Sequence, residues 1–234
     1  MLAVGLLALT ATAAAPATAQ SLVLDEGTFS LFVNGERIGR EDFSLRAARG
    51  AAGGYVTQGN LLVGDLRRSV VLTVDSLGFP QRYQLDTRQA GKVVASVVGE
   101  QQRGIWSGRT LQAGRESARE SRLPNDLLIA ETGVVHHLWL VLRLGEGHPV
   151  SLLAPSDPSQ VRVIVEEQAP DRVTLGLREL VARRWVVRKQ EDGSVLWELW
   201  TDAAGRLLRA VNRATALEAL RDDPPAETRG TLRP

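Results

Sequence analysis

Three histidines are the side chains of this sequence whose ordinary pKa lies closest to neutrality, and two of them, His136 and His137, are adjacent, with His148 further along the chain. Neighbouring residues diverge by about 100° on a helix and point to opposite faces of a strand. The pair therefore lacks the i, i+4 spacing with which two imidazoles grip one ion, and a structural or cavity-edge role is expected rather than a metal site. Gly104-Ile105-Trp106-Ser107-Gly108 has the wrong spacing for a nucleophile elbow. A triad of Ser107, His137 and a distant acid has no support beyond residue type. Glycine-rich phosphate loops, aspartic-protease signatures and calcium loops are missing from the sequence. We accordingly assign no catalytic residue, no metal ligand and no cofactor, and expect a protein that is not an enzyme.

The carboxylates cluster at Glu166-Glu167 and Asp222-Asp223, and Arg115 to Arg122 mixes both signs. These patterns suit solvated edges that discourage strand-to-strand aggregation. Against 27 acidic residues stand 28 basic ones, a net charge of +1, so the footprint of a nucleic-acid binder or a polybasic membrane tether is missing. Having no cysteine excludes disulfides, thiolate zinc sites, iron–sulfur clusters, cysteine nucleophiles and a lipidated cysteine.

The five tryptophans carry more information. Trp197 and Trp200 lie three apart in one expected strand, so they face opposite sides of a sheet. Trp106 and Trp185 also fall in strand patterns, and Trp139 sits in an apolar run. Tryptophan supplies a large apolar surface with one polar handle, the chemistry of an apolar pocket wall as much as of a core. The candidate cavity residues are Trp106, Leu138, Trp139, Leu142, Trp197 and Trp200.

These side chains must be positioned by strands. From Gly27 onward the dominant period is two: Phe29, Leu31 and Val33 share one face, Asn34-Gly35 supplies a hairpin turn, and Phe43 and Leu45 share a face of the return strand. Further strands are expected at 55–63, 69–75, 81–87, 93–98 and 105–111. After the helix described next come strands at 150–153, 161–166, 173–179, 184–189, 195–201 and 207–212, with a turn at Asp192-Gly193. Between Pro124 and Gly145 the alternation stops. Thr132 is placed to cap a helix over 133–144, and Leu138 to Leu142 make it apolar nearly all round, the mark of a buried helix. The fold class is mainly β: a curved antiparallel sheet wrapped around one apolar helix, with a Rossmann-type sheet excluded.

Residues 1–19 contain no charged side chain; Leu2 to Leu9 are apolar, Pro16 breaks the run, and Ala17-Thr18-Ala19 before Gln20 fits signal-peptidase cleavage after Ala19. The reading is a signal peptide at 1–19, a single β domain over 20–215 and a disordered tail at 216–234. Localisation is then periplasmic, with no integral membrane span after cleavage.

The chain order resembles uncharacterised exported bacterial proteins built like the lipoprotein carriers of the envelope. It has an opening hairpin from Gly27 to Gly39 with Asn34-Gly35 and Ile38-Gly39, then strands, a central helix, and a closing hairpin with Leu196-Trp197-Glu198-Leu199-Trp200. That resemblance implies a half-barrel around a helix and an apolar cavity. It also implies a non-enzymatic function, binding a lipid, acyl chain or other amphiphile. The alternative is an envelope protein-interaction or scaffolding module without a ligand.

Overall fold

A computed structural model describes residues 22–48 and 53–226. The signal-peptide assignment at 1–19 lies outside the described residues. Eight strands come first, β1 Leu22–Val33, β2 Glu36–Ala47, β3 Tyr55–Val63, β4 Leu66–Val74, β5 Pro80–Gln89, β6 Lys92–Gln102, β7 Ile105–Gln112 and β8 Arg115–Arg122. A short β9, Leu127–Ile129, leads through a turn segment to α1, Leu138–Gly145. Then follow β10 Val150–Ala154, β11 Asp157–Leu175, β12 Arg178–Lys189, β13 Val195–Thr201, β14 Leu207–Asn212 and β15 Leu217–Arg221.

All fifteen strands form one sheet in the order β8-β7-β6-β5-β4-β3-β2-β1-β15-β14-β13-β12-β11-β10-β9. Every pair is antiparallel except β9 with β10. The first and last strands thus meet in the middle of the sheet, and β8 and β9 are its open edges. The sheet is strongly curved, so that Tyr83 of β5 reaches Glu131, just past β9. Asn34 and Gly35 take φ of 52° and 81°, the paired positive values a two-residue hairpin with the right-handed strand twist demands.

Alternation sorts the side chains as expected. Phe29, Leu31, Phe43, Leu45, Leu72, Tyr83 and Leu85 face inward and pack with α1 in one large core. Trp200 sits on the opposite face from Trp197, in a second cluster with Val173, Leu175, Ala182 and Leu208. A bulge between Gln168 and Asp171 accompanies this, because it turns Val173 and Leu175 of β11 to the outer face.

Several boundaries differ from expectation, and strands such as β4, β6 and β11 run beyond their expected ends. The helix begins at Leu138 rather than Gly133, because Gly133 takes φ of 76° and the following residues form tight turns. The residue at its N-terminus is His137 and no side chain caps it, so Thr132 is not the cap; Val135 and His136, ahead of the helix, donate their backbone N–H groups to Glu41. The expected strand 173–179 is instead the end of β11, a turn at Gly176 and Leu177, and the start of β12. Residues 217–221, placed in a disordered tail, form β15 and join β1 to β14, since Leu217, Ala219 and Arg221 continue the inward face. The mixed-charge run 115–122 is a full edge strand. No helix among the described residues is long and apolar enough to cross a membrane.

Candidate functional site

The segment from Ala130 to His137 crosses the concave face and is tied down by two buried carboxylates. Glu131, 3% exposed, accepts hydrogen bonds from Tyr83 Oη at 2.7 Å, Thr132 N and Ser156 N at 3.1 Å, Arg68 Nη2 at 3.2 Å, and Ser156 Oγ. Arg68 also reaches the Thr132 carbonyl at 2.6 Å. One side chain thereby joins the segment to β4, β5 and the turn between β10 and β11. The second carboxylate, Glu41 of β2, accepts from Val135 N at 2.8 Å, His136 N at 3.0 Å and His136 Nδ1 at 2.5 Å. Burying a carboxylate is costly unless its lone pairs are satisfied, and both sites meet that condition with donors from separate elements.

The two histidines fill this anchor. His136 lies over Gly59 of β3, where any Cβ would meet its ring at 2.4 Å, and it extends the stack of Phe29 on Phe43. His137 Nδ1 accepts the Glu131 backbone N–H at 3.2 Å, which puts its proton on Nε2. Burial, with help from His136 and Arg68, holds the His137 pKa well below the usual range and keeps the ring neutral. Burial and the Glu131 carboxylate push the Tyr83 phenol far above its ordinary value. The Nε2 atoms of both histidines and Thr57 Oγ1 are buried without a protein partner, the kind of group that internal water satisfies.

Beneath the segment lies a cavity of about 500 Å³. Its walls are apolar side chains of β1, β2 and β3 (Leu31, Ile38, Leu61), of β10 and β11 (Leu152, Val161) and of β13 and β15, with Val134 and Leu138 above. Glu131 and Thr132 stand at its rim. This volume falls within the ordinary range of small-ligand sites, and a mostly apolar wall with few polar groups is their usual composition.

Of the six candidate cavity residues, Leu138 and Trp197 line this space. Trp139 and Leu142 face a separate groove with Arg143, Glu146 and Arg183, and the Trp139 ring meets Tyr55 edge-on at 5.4 Å. Trp106 lies in another hollow formed by β6–β8 and the β10–β11 turn. Trp200 is on the outer face, under Arg209 at 4.7 Å. Trp139, Leu142, Trp106 and Trp200 are therefore not brought together with Leu138 and Trp197: the helix starts later and turns Trp139 sideways, and strand alternation sends Trp200 outward. The anchors Glu41, Glu131, Arg68, Tyr83 and Ser156 were missed. Two of them left a signal, since Glu41 shares the inward parity of Phe43 and Leu45, and Glu131 is a lone acid in the apolar run from Leu127 to Val135.

No protein-family model and no curated protein matches the sequence. Among solved structures, the chain superposes on a beta-barrel-like protein of a domain of unknown function, DUF1849, from Brucella abortus. The TM-score is 0.53 at 12% identity, covering 86% of this chain and 95% of that one. A putative outer membrane lipoprotein-sorting protein domain from Vibrio parahaemolyticus also matches, with 9% identity and 88% and 87% coverage. Its TM-score is 0.20. The chain is similar in architecture to an uncharacterised beta-barrel-like domain, a curved antiparallel half-barrel around one apolar helix, and at this identity the likeness concerns fold alone.

Proposed function

We propose that the protein is an exported, non-enzymatic carrier that shelters an acyl chain or similarly slender amphiphile under the Ala130–His137 segment. One observation carries this reading: the cavity of about 500 Å³ whose walls are mostly apolar side chains from the central strands of the sheet and from β10 and β11. A solvent-connected pocket of this size with a mostly apolar wall is the usual form of a small-ligand site. The charge-free run at 1–19 supports export to the periplasm. The test is native mass spectrometry of protein purified from its own periplasm, together with displacement of a fluorescent fatty acid. Co-purified lipid and displacement are expected; a clean mass with no displacement overturns the reading. Trp197→Ala sharpens it, because a cavity-wall tryptophan should cost less than the ~3–5 kcal/mol of a fully packed one while probe binding is lost.

A second reading, docking to an envelope protein, is favoured by Leu177 and Val181, 105% and 75% exposed at the β11–β12 tip. Crosslinking that captures a partner through this tip, and fails with Leu177→Ser, would favour it.

A further inference from the structure

Both glutamates of β8 lie on one face of the strand, together with Arg122, and Arg115 and Arg119 lie on the other. Ser117, Arg119 and Ser121 line a hollow of about 270 Å³ on the concave side. Arg115 shares their parity, whereas Glu116 and Glu120 are both on the opposite face, where Ser107 donates to Glu120 at 3.2 Å. The floor of the hollow is Trp106, whose ring lies over the cross-strand glycine pair Gly99 and Gly108; a Cβ at Gly99 would sit 2.0 Å from it. A second hollow of about 240 Å³ adjoins the first, sharing Thr110, Gln112 and Ser156 with it and ending at Arg68. Neither hollow has an acidic residue in its lining. The Glu131 carboxylate that touches Arg68 and Ser156 lies behind them, and it also stands at the rim of the apolar cavity. Among the described residues Arg119 makes no ion pair, unlike Arg68, Arg183 or Arg221.

We propose that this cleft binds a phosphate-bearing head group, with Arg119 as the charged donor, the serine and threonine hydroxyls as neutral donors and Trp106 as an apolar floor. A guanidinium beside several hydroxyls in an acid-free cleft is the chemistry that recognises a phosphate oxyanion. The inference rests on the carrier reading for its chain-bearing ligand: the cleft reaches Ser156 and the apolar cavity reaches Glu131, on the two sides of the β10–β11 hairpin, and the Glu131–Ser156 contact at its tip is where a chain would pass from one to the other.

The test uses calorimetric titration of the full chain with lysophosphatidic acid, with a monoacylglycerol of the same acyl chain, and with sn-glycerol 3-phosphate alone. Lysophosphatidic acid should bind about tenfold or more tighter than the monoacylglycerol, as one charge-assisted contact provides. Arg119→Gln should remove that preference and leave monoacylglycerol binding unchanged. Arg122→Gln, on the other face of the same strand, should keep it. Equal affinity for the two lipids, or a preference that survives Arg119→Gln, overturns the inference and leaves the carrier reading standing. If neither lipid binds but sn-glycerol 3-phosphate does, through Arg119, the carrier reading falls and the phosphate cleft remains. If none of the three binds, both fall.

Discussion

The sheet has two concave regions built from the same alternating pattern and finished differently. Over β1–β5 lie the Ala130–His137 segment and α1, and the inward positions there include Phe29, Leu31, Phe43, Leu45, Leu61, Leu72, Tyr83 and Leu85, all buried, with Glu41 and Arg68 among them to bind the segment. Over β6–β8 neither element lies, and only Val97 and Trp106 are buried apolar residues there; the other inward positions include glycine, threonine, glutamine, serine and arginine. Alternation thus makes a strand, but what covers a strand decides which side chains its inner face carries. Burial at about 25 cal/mol per Å² stabilises only where a partner surface exists.

The largest break in this contrast is to release the cover. Glu131→Ala leaves Arg68 and Tyr83 facing an empty site, and removing one member of a buried ion pair costs about 3–5 kcal/mol. Denaturant unfolding should report that loss, with amide exchange rising first along 130–137. A change under about 1 kcal/mol would mean that the anchor does not hold the segment.

A smaller effect is expected from crowding the uncovered region. Gly99→Val drives a side chain into the Trp106 ring, and overpacking of this kind costs about 1–3 kcal/mol. Because the covered core does not contain Gly99, tryptophan emission should shift while fatty-acid displacement is retained. Loss of displacement would show that the two regions act as one.

The mildest probe is pH. His137 has its pKa lowered in the fold, chiefly by burial, so the unfolded chain binds a proton that the folded chain does not as pH falls below about 6.5. The stability that its neutral form contributes is present above that value and is lost as pH drops toward the folded pKa. His137→Asn keeps an acceptor for the Glu131 N–H, and its stability should vary less between about pH 7.5 and 5 than that of the parent chain. Identical slopes would remove His137 as the source.

Much of the fold is readable from residues. Phe29-Leu31-Val33, the Asn34-Gly35 turn and the opposed Trp197 and Trp200 follow from a period of two and from backbone sterics, which are local. The site is less so. Leu138 and Trp197 meet at the cavity, but Trp139 does not, because a helix turns 100° per residue and a start displaced by five residues re-aims each side chain. Gly133 was the clue to that start, and Glu41 binds the turn ahead of the helix from 94 residues away in sequence, while the helix itself has no side-chain cap. β15 escaped notice because its five residues bury only Ala219 and Arg221, which give little apolar periodicity, and its partner strand β1 is far away in sequence.

That pairing of β1 with β15 governs the order in which the sheet can assemble. Strands β1–β8 can zip up as successive hairpins, and so can β10–β15, with short loops and little closure entropy. Joining the two halves waits for the last strand to find the first, sealed by Arg221 gripping Asp25 through two contacts at 2.8 and 2.9 Å. Contacts so distant in sequence slow folding, and until they form both halves present a bare strand edge. The two lasting edges, β8 and β9, are by contrast consecutive in sequence. The two halves are thus joined through the chain at β8–β9 and through space at β1–β15, and the slower joint is the one whose strands lie farther apart in sequence.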